Sequence, residues 1–399
     1  MSFHTPSPRP PLGVWSPPIL LLAAVAFAVG SAEFVGVGAV PEIARGLGVG
    51  EDAAGLTVSL YAAGVALAAL PVSVAVGHLP PRRLLVTLLA IFAAAHVVMV
   101  AAPSLPVLLA GRLVAAATQA VALGAALHAA STLVAPERRS TAVALVFGGL
   151  LSAMFLAAPA GTVVADVFGW RAAFGLIGVF GLALAAAVAV VVPRTPGQDA
   201  VGWSALRLLR RPAVHRPLAT SAAQLLAAAV LFAYLGVYLE RVLGVRGSGV
   251  AVGLALFGAA GLVGNAFAPT IARRVAHRAP SLLLGVVGLA LVTVGLAGGH
   301  PGPALAAVAV WGAAQMALQP ILTDRAIVAG GSFAATLNVA GVNAGIAIGG
   351  LLGGAVVGAG SPEALPWVAA ALTVGVLVPA ALGSRAAGAT PTGAPAAAR

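Results

Sequence analysis

Two ionisable side chains stand where their neighbours offer no water. Glu33 lies inside the apolar stretch "GSAEFVGVGAVPE" (30–42), and Arg112 lies inside "LLAGRLVAAATQA" (108–120). A charge at the centre of a membrane-spanning helix costs about 2.5–3.5 kcal/mol on insertion scales, so such residues face a cavity or a partner. A carboxylate that moves between a dry environment and one shared with a cation can take and release a proton. A carboxylate tied permanently to Arg112 or to backbone only holds helices together, and both roles are open to Glu33. Arg112 suits tuning of Glu33, capture of an anionic part of a ligand, or service as a structural peg. Gln119 lies two helical turns beyond Arg112 on the same face, where it can hydrogen-bond a ligand.

A second set of polar groups lies far along the chain. Trp311, Gln315 and Gln319, at i, i+4 and i+8, place an indole and two amides on one helix face. A small-molecule site is an apolar cavity with a few placed polar groups. The alternative is hydrogen bonding between helices, worth about 0.6 kcal/mol per bond on average. Gln224, Tyr234, Asn338, Asn343 and Phe34 are further candidates for ligand contact, with helix bridging or lipid packing as the competing reading. Tyr238 suits an aromatic belt at the membrane surface. Lone histidines at His96 and His128 read as structural groups.

The elements that must position these residues follow from composition. The 399 residues are 61% hydrophobic and 8% charged, with mean hydropathy +1.07. Soluble domains carry about 25% charged residues, so the solvent for this chain is a bilayer. A spanning helix needs about 20 apolar residues. Cutting at charges and Pro/Gly punctuation predicts twelve spans: 18–40, 53–76, 83–102, 106–130, 140–165, 172–193, 217–239, 248–271, 281–298, 303–323, 334–358 and 366–383. The fold class is therefore an all-α membrane protein of twelve helices in two six-helix halves, 1–193 and 217–399, joined by a linker at 194–216. Within the linker, "WSALRLLRR" (203–211) is a basic amphipathic stretch suited to an anionic leaflet or to plain connection. The first span is too long for the core of a cleaved signal peptide.

All 21 basic residues are arginines. Apart from Arg112, sixteen fall on the side of the N-terminus and four (Arg45, Arg171, Arg241, Arg246) on the other. Positive residues collect inside, so both termini are expected in the cytoplasm. Arginines scattered between apolar runs do not form a nucleic-acid surface. There is no cysteine, no metal-ligand cluster and no Walker motif, so no metal, cofactor or nucleotide is expected, and no enzyme constellation appears. Weak internal similarity, with Gln119 of "ATQAVALGAAL" matching Gln315 of "AAQMALQPIL", fits two halves built from a repeat.

These features resemble the major facilitator superfamily, and in particular its bacterial drug/H+ antiporter branch, which includes sugar- and chloramphenicol-efflux proteins. "GSAEFVGVGAVPEIARGLGV" (30–49) looks like that branch's first-span signature. "LLAGRLVAAATQA" resembles its span-four motif, and "GGLLSAMFLAAPAGT" (148–162) resembles the antiporter motif of span five, with Gly148, Gly149, Pro159 and Gly161 as packing and hinge positions. "FGWRAAF" (168–174) is similar to the usual start of span six. The family's loop pattern between spans two and three, Gly-x-x-x-Asp-Arg-x-Gly-Arg-Lys/Arg, is mostly lost from "SVAVGHLPPRR" (73–83). Gly77 stands at the aspartate position, and only Arg82 and Arg83 remain. The resemblance implies a monomeric inner-membrane exporter that exchanges protons for a small molecule: a drug such as chloramphenicol, a sugar or a nucleoside. Glu33 and Arg112 would serve the proton at a cavity between spans one, four, seven and ten, with near-neutral net charge. An uncoupled facilitator or importer is the alternative within transport, and a non-transporting membrane receptor or scaffold the alternative outside it.

Overall fold

The computed structural model describes residues 11–76, 78–195, 207, 210–275 and 278–388. The helices are α1 (Pro17–Leu47), α2 (Glu51–Val76), α3 (Pro81–Val100), α4 (Leu105–Leu133), α5 (Arg139–Phe168), α6 (Trp170–Val191), α7 (Pro212–Phe232), α8 (Leu235–Arg241), α9 (Ser248–Val275), α10 (Ala279–Leu296), α11 (Pro301–Gly358) and α12 (Leu365–Gly388). Among the described residues, twelve segments are long and apolar enough to cross a membrane. The only extended pairing described is an isolated bridge between Leu12 and Val134.

Helix and span do not map one to one. α7 and α8 together make one span, broken at Ala233 and Tyr234. α11 is helical throughout its 58 residues but supplies two spans, Pro301–Ala326 and Leu337–Gly358. In a straight helix Thr323 and Asn338 would stand about 22 Å apart at 1.5 Å per residue. Instead Asn338 Nδ2 donates to Thr323 Oγ1 over 3.0 Å, so the chain reverses between them. α1 also runs past the predicted end of its span. Pro41 lies within it, and the helix closes only at Gly48, in the left-handed region (φ 65°). The last turns of α1 thus carry Glu42 and Arg45 beyond the apolar span. The loop residue Gly77 and most of 203–211 lie outside the described residues. Arg82 donates to the carbonyl of Ala189, fastening the start of α3 to the end of α6 within one half, while Arg83 is exposed. Tyr238 is buried rather than at a membrane surface, and its hydroxyl donates to Val294 O over 3.0 Å.

α1 to α6 pack mainly on one another, as do α7 to α12, and close backbone approach sets the geometry of each group. α5 lies so tightly on α1 that a Cβ on Gly149 would stand 2.1 Å from Ala23 O. The second limb of α11 meets α7 in the same way, with a Cβ on Gly349 falling 2.1 Å from Leu226 O. Small residues are what permit such contact without a hydrophobic driving force between helices. The motif's first glycine behaves differently: a Cβ on Gly148 meets nothing within 4 Å, so Gly148 is not a packing position. We expect Gly149→Ala to lower the melting temperature by the equivalent of about 1–3 kcal/mol of overpacking, and Gly148→Ala to leave it unchanged, both read by thermal unfolding in detergent.

The two groups meet toward the end of the bundle that carries Glu42 and Glu51. Ser59 of α2 sits under Gly350 of α11, and Phe155 of α5 fills the space over Gly258 and Gly261 of α9. At the tip, Arg45 bonds Glu42 (2.6 Å) and reaches across to Glu240 (3.2 Å), while Arg241 pairs with Glu51 (3.0 Å). Both arginines are more than half exposed. Exposed pairs contribute at most about 1 kcal/mol, so they guide this closure rather than lock it. With no native cysteine in the chain, Arg45→Cys with Glu240→Cys is expected to cross-link in the resting protein. Failure to cross-link with a short bifunctional reagent would show that the halves do not close here.

Candidate functional site

The charged pair read from the sequence does come together, but not as an ion pair. Arg112 is fully buried in α4. Its Nε donates to Thr57 O of α2 over 2.8 Å, Nη1 donates to Ala32 O of α1, and Nη2 donates to Glu33 O over 3.4 Å. Its guanidinium carbon stands 4.0 Å from the centre of the Tyr61 ring. These carbonyls already belong to helices, but each oxygen has a second lone pair. One guanidinium therefore ties three helices by its planar fork of donors, with a cation–π contact beneath. Gly36 of α1 makes room: a Cβ there would approach Nη2 to 3.3 Å.

The Glu33 side chain has a different partner. Gln119 Nε2 donates to Glu33 Oε2 over 2.6 Å, and Tyr61 Oη donates to Gln119 Oε1 over 2.5 Å. A carboxylate only accepts, so the amide must turn its nitrogen toward Glu33 and its oxygen toward the phenol. Gln119, expected at the ligand, is thus held behind Glu33.

Glu33 also borders a small cavity between the halves, with Phe34, Phe232, Phe257, Trp311 and Gln315 in its wall. The rings interlock. Phe257 and Trp311 stand edge to face at 4.8 Å, Phe232 and Phe257 at 4.9 Å, and Phe34 meets Phe232 at 6.5 Å. Trp311 Nε1 is buried and has no partner. Arg112 is not in the wall, so in place of the near-neutral cavity expected from the sequence, Glu33 is the one ionisable side chain among the described residues that line it.

Below this wall the amides pair among themselves. Gln315 Nε2 donates to Gln224 Oε1, Gln224 Nε2 donates to Gln319 Oε1 over 2.7 Å, and Gln319 Nε2 donates to Ser221 Oγ over 3.2 Å. Of the stripe on α11, Trp311 and Gln315 reach the cavity, while Gln319 and Gln224 brace it. The other candidates stand apart. Tyr234 donates to Asp52 O over 3.3 Å and lines a separate crevice with Asp52, Leu351 and Gly358. Asn338 bonds Thr323, and Asn343 Nδ2 donates to Val339 O of its own helix over 3.0 Å. In α5, Pro159 lies inside the unbroken helix, and Gly161 packs on Val35 of α1. Tyr61, Phe232, Phe257 and Met316 were not singled out by sequence. Tyr61 had a readable signal: one of only three tyrosines, centred in an apolar span, its hydroxyl had to find a partner.

A family model described as Major Facilitator Superfamily matches residues 21–328. The chain belongs to the Major Facilitator Superfamily. It is 31% identical to the chloramphenicol resistance protein of Streptomyces lividans over 371 residues, covering 90% of this chain and 94% of the relative. It is 30% identical to the inner membrane transport protein YdhP of Escherichia coli K12, covering 90% and 93%. A chloramphenicol efflux pump of Mycobacterium tuberculosis H37Rv is 30% identical, with 85% and 86% covered. Among solved structures, a bacterial homolog of the human lysosomal transporter Spinster, inward-facing and unoccupied, superposes with TM-score 0.74 at 18% identity, covering 92% and 96%. The peptide transporter PepTSo superposes with TM-score 0.76 at 13% identity, covering 94% and 99%. At those identities the structures establish the fold, which is that of a multi-pass membrane transporter.

The cavity is lined from α1, α2, α7, α9 and α11, so the expected contribution of the fourth span is replaced by that of α2, and the first and fourth spans of each half are joined by a side-chain pair. Glu33 of α1 bonds Gln119 of α4 in one half, and Gln224 of α7 bonds Gln315 of α11 in the other. The second pair repeats the first with an amide in place of the acid. Arg112→Lys keeps the charge but loses the fork that spans α1 and α2. We expect it to cost about 1–3 kcal/mol, the penalty of an unpaired buried polar group, seen as a lower melting temperature in detergent.

Proposed function

We propose that this transporter exports a small, largely apolar molecule across the bacterial inner membrane in exchange for a proton carried by Glu33. The observation that carries the reading is the cavity wall: interlocked aromatic rings around one carboxylate, with Gln315 as the other polar side chain. A sugar or nucleoside would bury many hydroxyls here without partners, each at a cost of about 1–3 kcal/mol. A drug with an aromatic ring and fewer hydroxyls than a sugar loses less on entry. Relatives named for chloramphenicol resistance and efflux support the same choice.

The cycle follows from the two ends of the bundle. The excess of arginines marks one end as cytoplasmic, and the contacts between halves gather at the other. The arrangement then corresponds to a cavity shut toward the outside and loaded from within. Substrate entering the cavity favours loss of the proton from Glu33. Rocking of the halves exposes the cavity outward, where the substrate leaves and a proton returns. A facilitator without coupling is the competing reading, and Glu33 separates the two. In proteoliposomes with an imposed pH gradient and chloramphenicol as probe, Glu33→Gln is expected to abolish gradient-driven transport while retaining exchange of labelled for unlabelled compound. Gradient-driven transport at wild-type rate in Glu33→Gln would mean that Glu33 is not the carrier, and wild-type transport that ignores the pH gradient would leave the facilitator reading. Trp311→Ala should weaken chloramphenicol binding roughly tenfold, the equivalent of about 1–1.5 kcal/mol for an aromatic contact.

A further inference from the structure

We propose that Gln119 and Tyr61 are positioning residues that decide which oxygen of Glu33 takes the proton. The inference rests on the reading of Glu33 as the proton site. Gln119 donates an N–H to Oε2 of Glu33, which itself lines the cavity. A proton on Oε2 would turn that oxygen into a hydroxyl, a poorer acceptor for the amide N–H than a carbonyl oxygen, so the proton is favoured on Oε1. The amide holds this orientation because Tyr61 donates to its oxygen. Tyr61 cannot easily turn away, since its ring is fully buried beneath the Arg112 guanidinium. If the amide rotated by half a turn, its oxygen would face Glu33 and accept a hydrogen bond from the protonated acid instead. The phenol is thus a lock on the amide, and the amide selects the oxygen.

The surroundings leave this pair in control. Of the helices packed against α1, only α4 and α2 bring titratable groups to Glu33: Arg112, whose donors face backbone, and Tyr61 itself. Elsewhere the charged groups lie toward helix ends: Glu51 and Asp52 on α2, His128 on α4, Arg139 and Asp166 on α5, Arg171 on α6, Glu240 and Arg241 on α8, and Arg273 and Arg274 on α9.

Dicyclohexylcarbodiimide reads the protonation of Glu33 without any substrate, because it reacts with protonated carboxyl groups in apolar surroundings to give a stable acylurea. The full chain in liposomes is treated across a pH series, and labelling at Glu33 is followed by peptide mass spectrometry. Gln119→Leu removes the N–H that favours the carboxylate, and its labelling midpoint is expected to move to higher pH by about one unit, the scale of one charge-assisted hydrogen bond. Tyr61→Phe removes only the lock and should move the midpoint in the same direction by less. Both variants should melt within a few degrees of wild type, which separates positioning from a general loss of structure. Unchanged midpoints in both variants overturn the proposal, and a shift in Gln119→Leu alone removes Tyr61 from it. The underlying reading fails separately, if Glu33 resists labelling at every pH or if Glu33→Gln still couples transport to the pH gradient.

Discussion

A guanidinium sealed inside an apolar bundle must satisfy its donors within the protein, and that requirement organises the first half of this transporter. Leaving a buried charge unpaired costs far more than the net gain of an ordinary hydrogen bond. Arg112 meets the requirement with carbonyls of α1 and α2 instead of a carboxylate. The consequence for Glu33 is indirect. The arginine fixes the backbone on which Glu33 stands while leaving its side chain free to answer Gln119 and the cavity. A direct salt bridge would have held the carboxylate in its ionised form. By spending its donors on backbone, Arg112 supplies a positive field nearby without capturing the acid.

The two halves repeat this plan with different chemistry. Glu33 with Gln119 and Gln224 with Gln315 each join the first and fourth spans of one half, with Glu33 and Gln315 the members that reach the cavity. The C-terminal pair extends through Gln319 to Ser221, forming a neutral network that can bear on a ligand but cannot titrate. The asymmetry also divides the labour: the N-terminal half holds the ionisable group, while the C-terminal half supplies most of the aromatic wall through Phe232, Phe257 and Trp311.

The bundle was legible in the sequence to a large extent because membrane burial imposes a blunt rule: about twenty apolar residues per crossing. Twelve spans follow from it directly. Boundaries were less legible. Pro41 looks like the end of a helix, yet proline near a terminus is tolerated where neighbours and water satisfy the backbone, and α1 continues to Leu47. The site was legible as a set of residue types more than as an arrangement. Glu33 and Arg112 announce themselves by their cost in an apolar run, but spacing along one helix does not say which groups on other helices they meet. That is why Gln119 was expected at the ligand and Tyr61 was overlooked. Tyr234 shows the converse: a phenol in a candidate span whose hydroxyl is spent on Asp52 O, away from the cavity. Gly148 and Gly149 read alike as letters, and only the position of Ala23 distinguishes them.

Alternating access also needs an interface that closes without becoming permanent, and the contacts between the halves have that character. The packing inside each half is at backbone range, as at Gly149 on Ala23 and Gly349 on Leu226. Shifting such a contact means rebuilding a helix pair, so each half moves as a body. Between the halves the tip is held by ion pairs whose arginines are largely in water, where their Coulomb attraction is offset by hydration and screened by salt. Losing both would cost about 1–2 kcal/mol, an amount that binding at the cavity can readily supply. The missing acid of the loop between α2 and α3 belongs to the same balance. Arg82 is turned to Ala189 in its own half and so cannot anchor the opposite closure by itself. Few strong contacts among the described residues bias the closed end, so a modest binding energy at the cavity is enough to shift the balance between the halves.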